Sequence, residues 1–328
     1  MSLTTRPLTI PRSTRRFLAA LTTYLLPILF VGLVVTFAIL EPRFLDPTNL
    51  TNVSRQSVFL LLIALGQMIV LINAQLDLSV GATVAFTSVI VATFTSSVGE
   101  GGWSIVIGVL VALAAGLVIG LVNGAIVSFW KVPSFMATLG TTSILTGSAL
   151  LITKGAPVTG VPFSFRDVFG TGNVFGIPTP VIVGIGVLLL VMLFMNRVPT
   201  GRNMYAIGGN AEAARVAGIN VRRTVIVAFV LCSVFAALAG MLLTARLGSG
   251  EASLGGSYVM LSIAAAVLGG TSLFGGEGVA WRVLLGVLFM GVLGNGMNLL
   301  HISSYVQEIV IGCVLVMAVG LERLREKL

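Results

Sequence analysis

Apolar runs of about 20 residues, the length that crosses a bilayer as a helix, recur from one end of the chain to the other. They predict ten spans, near residues 19–40, 56–73, 79–97, 103–130, 133–152, 180–196, 224–245, 258–274, 280–300 and 304–321. The breaks between them are short, so residues 1–328 read as one transmembrane domain with residues 1–18 as an N-terminal tail. The first run, LAALTTYLLPILFVGLVVTFAIL, is longer than the h-region of a signal peptide and reads as a retained span.

The polar positions that interrupt this pattern are few. Asn73-Ala74-Gln75-Leu76-Asp77-Leu78-Ser79-Val80-Gly81 places a carboxylate and three neutral polar side chains between two apolar runs. A related sequence, Glu251-Ala252-Ser253-Leu254-Gly255, stands 174 positions further on (77 to 251), again ahead of an apolar run. Asn123-Gly124 recurs as Asn295-Gly296 and Gly140 as Gly312, both 172 positions on. Three anchors in order point to an internal repeat of five spans. An odd number of spans inserts the second copy upside down, the inverted-repeat plan of many transporters. DLSVG is then expected toward the cytoplasm and EASLG toward the outside. An acidic residue ahead of a helix also suits the positive end of its dipole, which makes Asp77 a candidate cap.

Asn73, Gln75, Asp77, Ser79, Asn123 and Asn295 are the candidate residues of a translocation path or gate; all but Asp77 are neutral, as are Thr83, Thr87, Ser134, Thr138, Thr141, Thr142 and Asn298. Such groups match the hydroxyls of a polyol or sugar. Ser and Thr in membrane helices equally bond their own i−4 carbonyl, and Asn across helices can be structural, so both roles stay open for each.

Composition agrees with a polytopic membrane protein. The chain is 56% hydrophobic and only 9% charged, against about 25% charged in soluble domains. Its net charge of +8 needs no nucleic acid: Arg6, Arg12, Arg15, Arg16, Lys131, Arg197, Arg202, Arg215, Arg222, Arg223, Arg282, Arg323, Arg325 and Lys327 fall on one side. Arg43, Arg55, Lys154, Arg166 and Arg246 fall on the other. The excess is expected inside, which puts both termini in the cytoplasm and the protein in a bacterial inner membrane. Cys232, Cys313 and the lone His301 make neither a disulfide framework nor a metal cluster, so no metal site is expected.

Residues 197–223 form the longest basic connection. Within it Asn210 suits an N-cap, Glu212 the first turn, Arg215 the last and Gly218 the C′ position of a short helix. Ala213, Ala214 and Ala217 offer it a small flat face. Glu212-Ala213-Ala214-x-x-x-Gly218 matches the EAA-x-x-x-G motif of ABC importer permeases. GRNMYAIGGNAEAARVAGINVRR, with DLSVG and AAVLGGTSLFGGEG, resembles the ribose-type monosaccharide permeases from about Leu60 to Leu328. That resemblance implies an all-α, type II ABC importer-like fold of about ten helices. It also implies a second permease subunit (identical or not), a cytoplasmic ATPase and an extracytoplasmic substrate-binding protein. Gly201, Arg202, Ala206, Gly208, Asn210, Glu212, Ala213, Ala214 and Gly218 would then form the ATPase contact. One departure falls beside the candidate gate: many members have Gly-Gly-Ile where this chain has Ala74-Gln75-Leu76.

No G-x-x-x-x-G-K-[ST] occurs, and GGTSLFGGEG lacks the Lys and hydroxyl of a phosphate loop. The chain is therefore read as a transport subunit without an ATPase site, binding no cofactor itself, with ATP and Mg held by the partner. Its partners also include membrane lipid and a neutral sugar, and exclude nucleic acid. An ion-coupled secondary transporter of a small polar solute is the alternative, but Asp77, Glu308 and Glu277 are the few carboxylates that could couple it.

Overall fold

The computed structural model describes the backbone over residues 12–326 and the side chains over 25–320. The chain is almost wholly helical: α1 Arg12–Leu40, α2 Pro47–Ile72, α3 Val80–Val98, α4 Gly102–Phe129, α5 Ser134–Thr153, α6 Phe163–Arg166 and α7 Thr179–Arg197. They are followed by α8 Pro199–Gly209, α9 Ala211–Val216, α10 Val221–Leu247, α11 Gly256–Leu268, α12 Ala280–Leu299 and α13 Ser304–Glu326. A two-stranded hairpin, β1 Asn173–Val174 and β2 Ile177–Pro178, lies between α6 and α7. Of the tail expected over 1–18, residues 1–11 lie outside the described residues, and the backbone is helical from Arg12.

Each of the ten expected spans overlaps a helix, although the one expected over 258–274 ends at Leu268. Seven of these (α2, α3, α4, α5, α7, α10 and α12) are long and apolar enough to cross a membrane. Of the other three, α11 has a short apolar stretch, Gly256–Leu268, and the described apolar parts of α1 and α13 are Leu25–Leu40 and Ser304–Gly320. The 13 residues of α11 rise about 20 Å, well short of the roughly 30 Å hydrocarbon core.

The centre of the bundle is the second part of α2, apolar on nearly every side and buried without a break from Ser57 to Ile72, as such a segment must be. Around it α10 packs on α2, α3 and α4. Glycines set how closely: Gly116, Gly120 and Gly124 of α4 lie one turn apart directly against the backbone of α10, where no side chain fits.

The helix contacts pair between the two halves. α3 packs on α4 and α5, as α11 packs on α12 and α13. α10 packs on α3 and α4, as α2 packs on α11 and α12. The opening helix of each half does not follow suit: α1 lies chiefly on α12, and α7 chiefly on α2.

Candidate functional site

The interruption between α2 and α3 is a short extended strap. It begins where α2 ends in a reverse turn, the Gln75 N–H bonding the Val70 carbonyl at 3.1 Å and the Ala74 N–H that of Leu71 at 2.8 Å. This is the Schellman pattern, whose C′ residue adopts the left-handed conformation, and Ala74 has φ 55°. The departure from Gly-Gly-Ile thus begins at a residue under a backbone demand. Asn73, the C-cap, is buried and its amide donates back to the Ile69 carbonyl at 2.9 Å, while Gln75 is only half-buried.

Asp77 is completely buried at the head of a chain of hydrogen bonds. The Thr141 hydroxyl donates to Asn123 Oδ1 (2.6 Å), Asn123 Nδ2 to Ser79 Oγ (2.9 Å), and the Ser79 hydroxyl to Asp77 Oδ1 (2.6 Å). Every donor points toward the carboxylate, so each bond polarises the next. The same oxygen accepts the Ser79 N–H at 2.8 Å. Asp77 therefore caps the turn that enters α3, and Oδ2 lies in the interior with Cys232 of α10 beside the carboxylate. Asn123, expected on a path, is buried within this chain.

The strap's own backbone groups are satisfied by α5. Ser134 Oγ accepts from the Leu76 N–H (3.1 Å), Thr138 Oγ1 from the Leu78 N–H (3.0 Å), and the Thr142 hydroxyl donates to the Leu78 carbonyl (3.2 Å). Ser134, Thr138 and Thr142 stand four residues apart and so share one face of α5. They hold a non-helical segment inside the bundle, where unsatisfied backbone would be costly.

The second motif meets the first at one point. Gly81 and Gly255 are in direct backbone contact: a Cβ at Gly81 would lie 2.5 Å from the Gly255 carbonyl oxygen, and Gly255 meets Gly81 reciprocally. The two motifs thus meet at their final glycines, while Gly250, just ahead of Glu251, lies further along α3 against Ser88 and Val89. Because α11 is too short to span, the chain ahead of it runs inward along α3 to that point. Glu251 is half-buried and accepts from the Ser249 hydroxyl at 3.1 Å, away from the start of α11. Asn295 is paired reciprocally with Asn49 at the start of α2 (2.9 and 3.0 Å), so it joins α12 to α2 rather than to the strap.

In the basic connection the expected short helix is present as α9, flanked as its sequence requires. Asn210 Oδ1 accepts the Ala213 N–H at 2.9 Å, Ile219 and Gly218 bond back to Ala214 and Arg215, and Gly218 has φ 83°. Arg215 pairs with Glu212. The three alanines do not share one environment: Ala213 and Ala217 are exposed, while Ala214 is buried against the bundle and Val216 is 83% exposed.

The preceding α8 is a helix that the breakers Pro199, Gly201, Gly208 and Gly209 obscured in the sequence; Pro at the first helical position is in fact a start signal. Met204, Ile207 and Gly201 face inward, with Gly201 on the backbone of Phe194, while Arg202 and Ala206 are exposed. Gly208 abuts the Ile72 carbonyl and the Gly276 amide with no room for a side chain.

One feature went unnoticed in the sequence, and one run noted there has a place that its residues did not show. Gln67, deep in α2, is fully buried with neither end of its amide hydrogen-bonded among the described residues; a lone amide in VFLLLIALGQMIVLI was the available signal. The run GGTSLFGGEG is a connector that docks on α2 and α8: the Gly276 N–H bonds the Ile72 carbonyl at 2.9 Å, and the Tyr205 hydroxyl donates to the Gly278 carbonyl at 2.9 Å. An open hollow of about 350 Å³ lined by Phe163, Ser164, Arg166, Asp167 and Thr171 lies in the α5–α7 connection. None of the candidate path residues borders it.

The family described as the permease component of the branched-chain amino acid transport system matches residues 49–319. The chain belongs to this family. The permease is similar to the ribose import permease protein RbsC of Bacillus subtilis, 40% identical over 298 residues that cover 90% of this chain and 91% of that one. It is 36% identical to the D-allose transport system permease protein AlsC of Escherichia coli, over 90% of each chain. The L-arabinose transport system permease protein AraH of the same organism is 35% identical, over 97% of this chain and 95% of that one. No solved structure matches. These relatives carry the ABC permease reading and give the ion-coupled alternative no support.

Proposed function

We propose that the permease is the membrane subunit of an ATP-driven importer for a neutral monosaccharide. The observation that carries this is the similarity over nine-tenths of the chain to permeases named for ribose, allose and arabinose. The neutral character of the polar groups around the strap, with Asp77 as its one carboxylate, agrees with an uncharged cargo. In this reading ten helices cross the membrane as two inverted repeats with both termini cytoplasmic. The paired helix contacts and the meeting of Gly81 with Gly255, as expected of equivalent residues beside a two-fold axis, support the repeat.

Two permeases would form the pathway between them. Gly140 of α5 and Gly312 of α13, equivalent in the repeat, both face open space, which leaves a flat surface for a neighbouring helix. The partner ATPase, holding ATP and Mg, would engage α9 at its exposed side. A soluble binding protein would deliver the sugar on the opposite face, and alternating access would follow from closure of the ATPase pulling the two α9 helices.

The test is reconstitution with ATPase and binding protein, after a thermal-shift panel of pentoses, hexoses, polyols and amino acids on the binding protein. Sugar uptake that requires ATP is expected; uptake driven by a pH gradient without ATPase, or an amino acid as the only ligand, refutes the reading. Because Ala214 is turned inward, the contact itself is tested at Val216. Val216→Asp is expected to abolish stimulation of the ATPase while leaving the permease folded, and unchanged stimulation refutes the docking side.

A further inference from the structure

Three segments far apart in sequence meet backbone to backbone at one point: the end of α2 (Ile72 to Ala74), the end of α8 (Gly208) and the glycine turn Gly275 to Gly278. Gly276 N–H bonds the Ile72 carbonyl at 2.9 Å. Gly208 lies against both of those groups, and Gly275 lies against Ala74 and the Gly208 carbonyl. Tyr205, two-thirds of the way along α8, closes the ring through its 2.9 Å bond to the Gly278 carbonyl. With no side chain between the three backbones, little can be compressed when one of them moves.

The strap leaves this junction directly. Within four residues of Ala74 its amides reach α5 through Ser134 and Thr138. α5 itself packs chiefly on α3 and α4, and α8 on α2, α7 and α10; α10 also packs on α3 and α4, but the strap runs straight from the junction at α8 to α5 through hydrogen bonds. We propose that residues 73–79 are a relay that carries displacement of α8 and α9 to α5, with Tyr205, Ser134 and Thr138 as positioning residues for coupling. The inference rests on the permease reading above and adds the route by which ATPase movement reaches the pathway wall. It also assigns the polar residues of α5 a different task from contacting sugar.

The experiment uses the full complex in proteoliposomes and reads sugar moved per ATP hydrolysed. Tyr205→Phe removes only the bond to Gly278, Ser134→Ala only the acceptor for Leu76, and Thr138→Val keeps the shape of Thr while deleting the acceptor for Leu78. Each is expected to lower the ratio about fivefold, the scale of one lost hydrogen bond. Thr138→Ser retains the acceptor oxygen and is expected to stay within about twofold of wild type. A ratio unchanged in all three deletions overturns the relay, as does Thr138→Ser falling as far as Thr138→Val, which would assign Thr138 to packing alone. Should Thr138→Val fail to assemble, Tyr205→Phe at the half-buried α8 surface decides by itself. Absence of ATP-dependent uptake by the wild-type complex would instead refute the permease reading, so the two failures are distinguishable.

Discussion

DLSVG and EASLG are related in sequence and touch through their final glycines, yet their acidic residues live in opposite circumstances. Asp77 is sealed inside the bundle and terminates a four-residue hydrogen-bonded chain. Glu251 is half-buried and bonded to a neighbouring serine on its own turn. What the two copies keep in common is the close approach of two helix starts, because only glycine permits it. The arms leading to those glycines have diverged: one is clamped along α5, and the other folds back along α3 to make up the length that α11 lacks.

The largest effect that separates shared from divergent features should come at the glycines. Gly255 has φ 102° as well as the Gly81 backbone against it, so Gly255→Ala combines overpacking of about 1–3 kcal/mol with a left-handed penalty of about 1–2 kcal/mol. Loss of the folded monodisperse protein in detergent is expected, and an unchanged melting temperature would break the contact. The acidic pair comes next. Asp77→Ala strands the buried Ser79 hydroxyl and amide and is expected to cost about 1–3 kcal/mol in thermal unfolding, whereas Glu251→Ala is expected within about 0.5 kcal/mol of wild type. Equal losses would mean that the two copies are alike after all.

A smaller change of opposite sign is expected at the end of α2. Ala74→Gly relieves the left-handed strain at φ 55° and is expected to stabilise by up to about 1 kcal/mol, net of the entropy glycine adds to the unfolded chain.

The smallest lies at the far end of α3, where Glu100 accepts the Phe163 and Ser164 N–H groups at 2.7 and 3.0 Å. Bonding from the Ser164 N–H first, and Phe163 N–H second, holds its carboxyl below the usual range. A depressed folded-state value contributes stability that is present above the unfolded value and lost as pH falls through the folded one. Wild type should therefore lose slightly more melting temperature than Glu100→Gln between pH 6 and pH 3, and identical slopes would show that this tie contributes nothing.

Much of the fold could be read along the chain because its signals are local. Apolar run length marks a span, and Asn210 and Gly218 bound α9 by cap chemistry that acts within four residues. The proposed repeat rests on signals of the same local kind, acidic-x-Ser-aliphatic-Gly at 77–81 and 251–255. The candidate site was only half legible. The polar residues of the strap and α5 were recognisable as exceptions in hydrocarbon, but Asn295 separated from Asn123 in space, and Gln67 and Tyr205 drew no notice.

Residue type and spacing were enough to establish a polytopic helical membrane protein, the approximate positions of its long apolar helices and the short capped helix of the basic connection. They could not say which hydroxyls face a pathway and which hold backbone, since a Thr that bonds a strap sixty residues away reads like any other Thr. Nor could they bring Gly208 onto Ile72 and Gly276, or Gly81 onto Gly255. Those contacts join segments from 68 to 204 residues apart (208 to 72 or 276, 81 to 255 and 72 to 276), and only the packing of the whole bundle sets them.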